Sequence, residues 1–200
     1  QRTELFSETA TLMNTTNSIV EKDFWVVWTL DKIFSDDRLN KILMFKGGTS
    51  LSKGWNLIER FSEDCDLAID RGILGFGENL IKKERTKLRK ESKLFVDNIL
   101  IPEIEKALDA LGLSGHFKLV NLETKESDKD PVEFFIEYTS ILPEKNPYIA
   151  ERVKVEITCR SLIEPFEPVQ MRSMIEDAYP DEPFSGASFV VPTVLPGKTF

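Results

Sequence analysis

Two adjacent glycines, Gly47 and Gly48, stand between a short apolar run and a helix-length polar step, and a strand-like stretch carrying Asp64 and Asp66 follows. That order limits what this chain can build more than any other feature it has. A glycine pair lets backbone N–H groups approach an anion with no side chain in the way, and a helix starting there aims its positive end at the same point. Residues 64–70 alternate Asp64, Asp66, Ala68 and Asp70 with Cys65, Leu67 and Ile69, the period-two pattern of a half-buried strand. Asp64 and Asp66 therefore share a face and Cys65 points to the core. Two carboxylates on one face repel unless a cation sits between them. An anion-holding turn joined to a cation-holding strand is what metal-dependent phosphate chemistry requires. The plain alternative is a turn followed by a solvated strand face.

The flanking pattern predicts the rest of the fold. Between 15 and 34, Ile19, Val20, Phe24, Val27, Trp28, Leu30, Ile33 and Phe34 fill a broad helical face, as part of a buried N-terminal helix pair. Residues 41–46 read as a central strand, and Leu51, Trp55 and Ile58 at i, i+4, i+7 predict that the helix after the glycines runs on to about 58, leaving Thr49 and Ser50 free at the loop. A long helix is expected over 78–100, then a second with Pro102 in its first turn and Gly112 as its stop. Strands are expected over 116–122, 132–141 and 152–161. In the last of these Val153, Val155, Ile157 and Cys159 alternate with Arg152, Lys154, Glu156, Thr158 and Arg160. From Glu164 onward six prolines cut the chain into short pieces with room for one brief helix over 171–178, which reads as a wrap or hinge.

Composition excludes several chemistries. With one histidine, His116, and two cysteines, Cys65 and Cys159, zinc sites, Cys-His catalysis and a serine triad have too few residues to draw on. Two cysteines in 200 residues point to a reducing cytoplasm, and no run is long enough to span a membrane. The 41% apolar content supports one sizeable core. A net charge of −8 means that any polyanion would be met by a local basic patch. The opening Gln1, in place of a methionine, is read as a start that lies upstream or was processed.

Lys46-Gly47-Gly48-Thr49-Ser50-Leu51 and Arg60-Phe61-Ser62-Glu63-Asp64-Cys65-Asp66-Leu67 resemble the nucleotidyltransferase superfamily of the DNA polymerase β type. More closely they resemble the AbiEii/AbiGii toxin family of abortive-infection and toxin–antitoxin systems. Glu21-Lys22-Asp23-Phe24-Trp25 and Val153-Lys154-Val155-Glu156-Ile157 extend the resemblance over most of 20–160. It implies an α/β (α+β) nucleotidyltransferase fold: a mixed β-sheet flanked by helices, with N-terminal helices over 1–40, a core over 41–163 and a Pro-rich tail over 164–200. It further implies two Mg²⁺ ions on Asp64, Asp66 and a third carboxylate, for which Glu156 is the first candidate; the alternative is that Glu156 belongs to a surface salt-bridge ladder with Lys154 and Arg160 and that Glu133 or Glu137 supplies the third acid. An NTP triphosphate would lie against Lys46, Gly47, Gly48, Thr49 and Ser50, with Arg60 and Ser62 either touching phosphate or bracing the turn. The implied activity is transfer of NMP to an RNA, such as a tRNA 3′ end, or to a protein hydroxyl, by a phage-defence toxin with a cognate antitoxin as partner. The alternative is an NTP-binding or antitoxin-binding scaffold of the same fold with impaired catalysis.

Lys82, Lys83, Arg85, Lys87, Arg89, Lys90 and Lys93 place seven positive charges within twelve residues. They form either a solvated helix face or a docking surface for an RNA backbone. The family resemblance also implies a Glu-Lys pair on a C-terminal helix beyond Phe200, its lysine facing the triphosphate, for which Lys198 is the substitute inside the chain. Gly48 to Gly54 contains the letters of a phosphate-binding loop, but Lys53-Gly54 reverses the Gly-Lys order that a Walker A motif needs.

Overall fold

The computed structural model describes residues 2–110, 117–121, 128–143, 146–160, 164–182 and 189–198. Helix α2 (Asn17–Phe34) starts where Thr16 accepts a hydrogen bond from the Ile19 N–H at 3.3 Å, satisfying one of the free donors of its first turn. Its broad apolar face divides between two clusters. Trp25, Val26, Leu30, Ile33 and Phe34 enter the main core. Val20, on another side, meets Phe6 and Ala10 of α1 (Arg2–Leu12) together with Leu142 and Ile175. The expected N-terminal helix pair is thus built by one amphipathic helix with two apolar neighbours.

Seven strands form one mixed sheet in the order β3-β4-β5-β2-β1-β7-β6. After the short α3 (Asp37–Ile42), β1 (Leu43–Lys46) pairs antiparallel with β2 (Asp64–Ile69), and β2 pairs parallel with β5 (Arg152–Thr158). Outward on that side lie β4 (Val132–Tyr138) and β3 (Phe117–Asn121), both antiparallel to their inner neighbours. Alternation assigns the two faces as the sequence reading expects. Cys65, Leu67, Val153, Val155, Ile157, Phe134 and Ile136 pack under α2 and the helical run 82–110, while Asp64, Asp66, Lys154, Glu156 and Glu133 occupy the opposite face.

That helical run consists of α5 (Lys82–Phe95), one wide turn (Val96–Leu100) and α6 (Ile101–Ala110). Pro102 follows directly on the wide turn, where the helix has widened its hydrogen-bond spacing and so accommodates a residue without an N–H. The expected stop at Gly112 and residue His116 lie outside the described residues.

Two expectations are corrected. The helix after the glycines does not reach Ile58: α4 (Gly47–Thr49) passes into a wide turn (Ser50–Gly54) and ends at Trp55. Asn56 adopts φ +52°, a left-handed conformation that breaks the helix. A side chain at Gly54 would come within 3.0 Å of Met171 and 3.3 Å of Val169, so the turn is packed against the sheet. Trp55 is held by donating from Nε1 to the Val194 carbonyl at 3.0 Å and does not sit on a continued helical stripe.

The second correction concerns the Pro-rich tail. It supplies β6 (Phe166–Met171) and β7 (Phe189–Val194), with β7 inserted beside β1 and β6 at the edge. Pro168 and Pro192 face each other in register. Between the two strands α7 (Met174–Ala178) starts at a Ser173–Glu176 capping box. Among the described residues no helix is long and apolar enough to cross a membrane.

Candidate active site

The register of four adjacent strands gathers residues that lie more than a hundred positions apart in sequence. Lys46 on β1 is opposite Asp66 on β2, Asp66 is beside Glu156 on β5, and Glu156 is opposite Glu133 on β4. One row therefore runs Lys46, Asp66, Glu156, Glu133 across the sheet. Asp64 falls in the next row, beside Lys154. Of the three candidates for a third carboxylate, Glu156 and Glu133 belong to this row, whereas Glu137 lies opposite Arg152 at the far end of β4.

The glycine turn closes on the row from the end of β1. Gly47 has φ +78°, and a Cβ there would fall 2.0 Å from Asp66 Oδ2, so only glycine fits both the conformation and the space. A Cβ on Gly48 would meet Arg60 Nη2 and Ser62 Oγ, each at 3.1 Å. Gly47 and Gly48 thus touch the acidic strand and the segment leading into it. Arg60 is exposed there and makes no ion pair among the described residues. Thr49 and Ser50 differ from expectation: both are fully buried. Thr49 Oγ1 donates to Ser62 Oγ at 2.9 Å, and Ser50 Oγ donates to the Gly47 carbonyl at 2.8 Å. Their side chains are engaged in fixing the turn, and so is the Ser62 hydroxyl.

Charge is crowded on this face. Burial pushes the Asp66 carboxyl up to about 6, reinforced by Glu156 and Asp64 and opposed by Lys46 and Lys154. Asp64 is also raised, first by burial, against the pull of Lys154. Lys154 Nζ lies 2.8 Å from Glu156 Oε2 and 2.9 Å from Glu133 Oε1, and Lys129 lies 2.9 Å from Glu133 Oε2. These two lysines hold the Glu133 carboxyl below its ordinary value. Among the described residues no three His, Cys, Asp or Glu side chains form a ready-made metal cage. The surplus of negative charge around Asp66 and Asp64 nevertheless suits a divalent cation, because both carboxyls resist ionisation without one.

Sequence reading used Glu21, Lys22 and Asp23 only as support for the resemblance and missed what they do. Lys22, 2% exposed, donates to the carbonyls of Ala150 and Arg152 and lies 3.3 Å from Glu63, the residue before Asp64. Burial lowers its pKa, against Glu63. Asp23 pairs with Lys53 at 2.5 Å and accepts from the Met174 N–H at 2.6 Å, while Glu21 accepts from Ser140 Oγ and the Ile141 N–H. Helix α2 therefore grips the starts of β2 and β5 through Lys22, the wide turn after the glycines and the start of α7 through Asp23, and the segment after β4 through Glu21. Their position between Val20 and Phe24, inside an apolar helix, was the available signal.

The basic run forms most of α5. Lys82, Lys83, Arg85, Lys87 and Lys90 are exposed, with Lys87 over the Phe76 ring at 5.9 Å. Arg89 is paired with Asp128 at 2.8 Å and Lys93 with Asp97 at 2.5 Å, which removes both from the open surface. The segment 128–133 links this helix to the acidic row, because Arg89 holds its start and Lys129 holds Glu133. Lys198 ends an exposed turn (Pro196–Lys198) after β7.

A family model described as "Nucleotidyl transferase AbiEii toxin, Type IV TA system" matches residues 28–200. No curated protein sequence matches the chain.

Proposed function

The chain belongs to the AbiEii nucleotidyl transferase toxin family of type IV toxin–antitoxin systems, and from that premise we propose that it transfers NMP from an NTP to a hydroxyl of an RNA acceptor. The observation that carries this reading is the register of Lys46, Asp66 and Glu156 on adjacent strands with Gly47 pressed against Asp66. It joins the phosphate-holding turn to the carboxylates in one place.

In this reading the backbone N–H groups of the Gly47–Gly48 turn, the Lys46 ammonium and the exposed Arg60 guanidinium hold the triphosphate. Thr49, Ser50 and Ser62 keep the turn rigid, so the anion site is formed before substrate arrives. Asp64, Asp66 and Glu156 would hold Mg²⁺, which supplies charge neutralisation at the triphosphate and a lower pKa for the attacking hydroxyl. The acceptor oxygen forms a bond to the α-phosphorus, the bond from that phosphorus to the bridging oxygen breaks, and pyrophosphate leaves with the electron pair. The hydroxyl proton passes to the carboxylate row.

The exposed cations of α5 give an acceptor RNA a sequence-independent track along its phosphates. A protein hydroxyl as acceptor would make no use of that surface. An antitoxin of the same system is the expected regulatory partner.

Incubation with each α-labelled NTP, Mg²⁺ and total RNA or total protein tests the proposal. Label should enter RNA, and Asp64→Ala or Asp66→Ala should abolish it while the circular dichroism spectrum stays native. Full incorporation by either variant would sink the assignment. NTP and Mg²⁺ binding without any incorporation would favour the impaired scaffold instead.

A further inference from the structure

Lys154, which the sequence places beside Glu156 on a polar strand face, stands at the centre of the acidic face. It lies beside Asp64 in the β2–β5 register, and its Nζ bridges Glu156 Oε2 at 2.8 Å and Glu133 Oε1 at 2.9 Å. Those two glutamates are directly opposite each other on β5 and β4. Glu133 is shared with Lys129, whereas among the described residues Lys154 is the cation that Glu156 holds. A like-charged pair on neighbouring strands is unfavourable without a counter-ion, and Lys154 supplies it from inside the sheet.

We propose that Lys154 is a built-in counter-ion that competes with the divalent cation for Glu156, and that Glu133 is the second carboxylate that takes Lys154 over when the cation binds. The inference rests on the metal-holding role of Asp64, Asp66 and Glu156 in the proposed function, and it goes beyond that role. Lys154 is a positioning residue here: it neutralises Glu156 in the metal-free protein and sets how tightly the site takes a cation. The exchange needs only a small motion, since the ammonium already touches both glutamates. Glu133 is suited to receive it because its carboxylate is committed to ammonium groups on both oxygens. Glu156 keeps one oxygen outside the pair.

Binding of Mn²⁺ to the full chain, followed by the loss of the free-ion paramagnetic resonance signal, reads this without any turnover. Lys154→Met should bind on the order of tenfold more tightly than wild type, and Glu133→Gln several-fold more weakly, because Lys154 is left with Glu156 alone. Lys154→Gln guards against a packing defect and should tighten binding in the same direction. The double variant decides the mechanism: on the Lys154→Met background, Glu133→Gln should change affinity by less than about twofold, since coupling disappears when one partner is gone. An equal loss from Glu133→Gln on both backgrounds would mean simple through-space charge and would overturn the exchange. Unchanged or weakened binding in both Lys154 variants would overturn it as well. Asp66→Asn provides the separate control. If Mn²⁺ binding in wild type does not depend on Asp66, the metal-holding reading itself fails, whereas Asp66-dependent binding with no Lys154 effect defeats only this inference.

Discussion

Replacing Asp66 with Asn should make the metal-free protein more stable while removing its activity. Asp66 is pushed up from 3.8 to about 6 by burial and by Glu156 and Asp64. A rise of that size corresponds to about 3 kcal/mol between protonated and ionised forms. Asp66 is only partly buried, so solvent screening reduces the usable figure to about 1–2 kcal/mol. The sign follows from the direction of the rise: the protonated form is favoured by folding, its stabilisation is complete below 3.8, and it is lost as pH climbs through about 6. At pH 7.5 the ionised carboxylate is therefore a net cost that Asn, similar in shape, removes. Melts in chelator should show Asp66→Asn above wild type by about 3–6 °C, given the usual shift per kcal/mol for a chain of this size. The gain should vanish near pH 4, and Mg²⁺ should close the gap by stabilising wild type alone. A variant that is destabilised at pH 7.5, or a difference independent of pH, would refute the reasoning.

Three further changes probe separate parts of the account. Gly47→Ala should cost about 1–3 kcal/mol in urea denaturation, because it forces a side chain into a left-handed backbone and against Asp66; a wild-type midpoint would show that the turn is not clamped as described. Lys22→Met should cost about 3 kcal/mol, since it strands the Glu63 contact and two carbonyls at the start of β5, and unchanged stability would exclude the clamp role of α2. Changing Lys82, Lys83, Arg85 and Lys90 together to Gln should lower the salt slope of RNA binding by about 2–3, with no change in nucleotide affinity. An unaltered slope would remove α5 from the RNA-binding surface.

The parts legible in the sequence were those fixed by short-range periodicity. The alternation of 64–70 placed Asp64 and Asp66 on one face and Cys65 in the core, and the alternation of 152–158 put Lys154 and Glu156 together. What alternation cannot contain is which strand lies next to which. The meeting of Glu156 with Asp66 and Glu133 depends on pairings between segments far apart in the chain, so a salt-bridge ladder through Lys154 was legible as an alternative but its bridge to Glu133 was not. The apolar triplet Leu51, Trp55, Ile58 suggested a longer helix because periodicity is blind to the left-handed Asn56 and to the packing against Gly54. The proline-rich tail misled in the opposite direction. Proline is acceptable in β6 because that strand is at the edge, and in β7 Pro192 faces Pro168 in register. Thr49 and Ser50 read as free polar groups, yet their hydroxyls found partners in Ser62 and the Gly47 carbonyl.

The central claim, that the turn and the carboxylate row together transfer a nucleotide, is tested most directly by the position of the label. With parallel reactions containing NTP labelled at the α- or the γ-phosphate, the acceptor RNA should become labelled only from the α-phosphate, and free pyrophosphate should appear in equal amount. Label from the γ-phosphate, or release of inorganic phosphate with no labelled acceptor, would contradict nucleotidyl transfer and the roles given to Gly47, Gly48, Asp64 and Asp66.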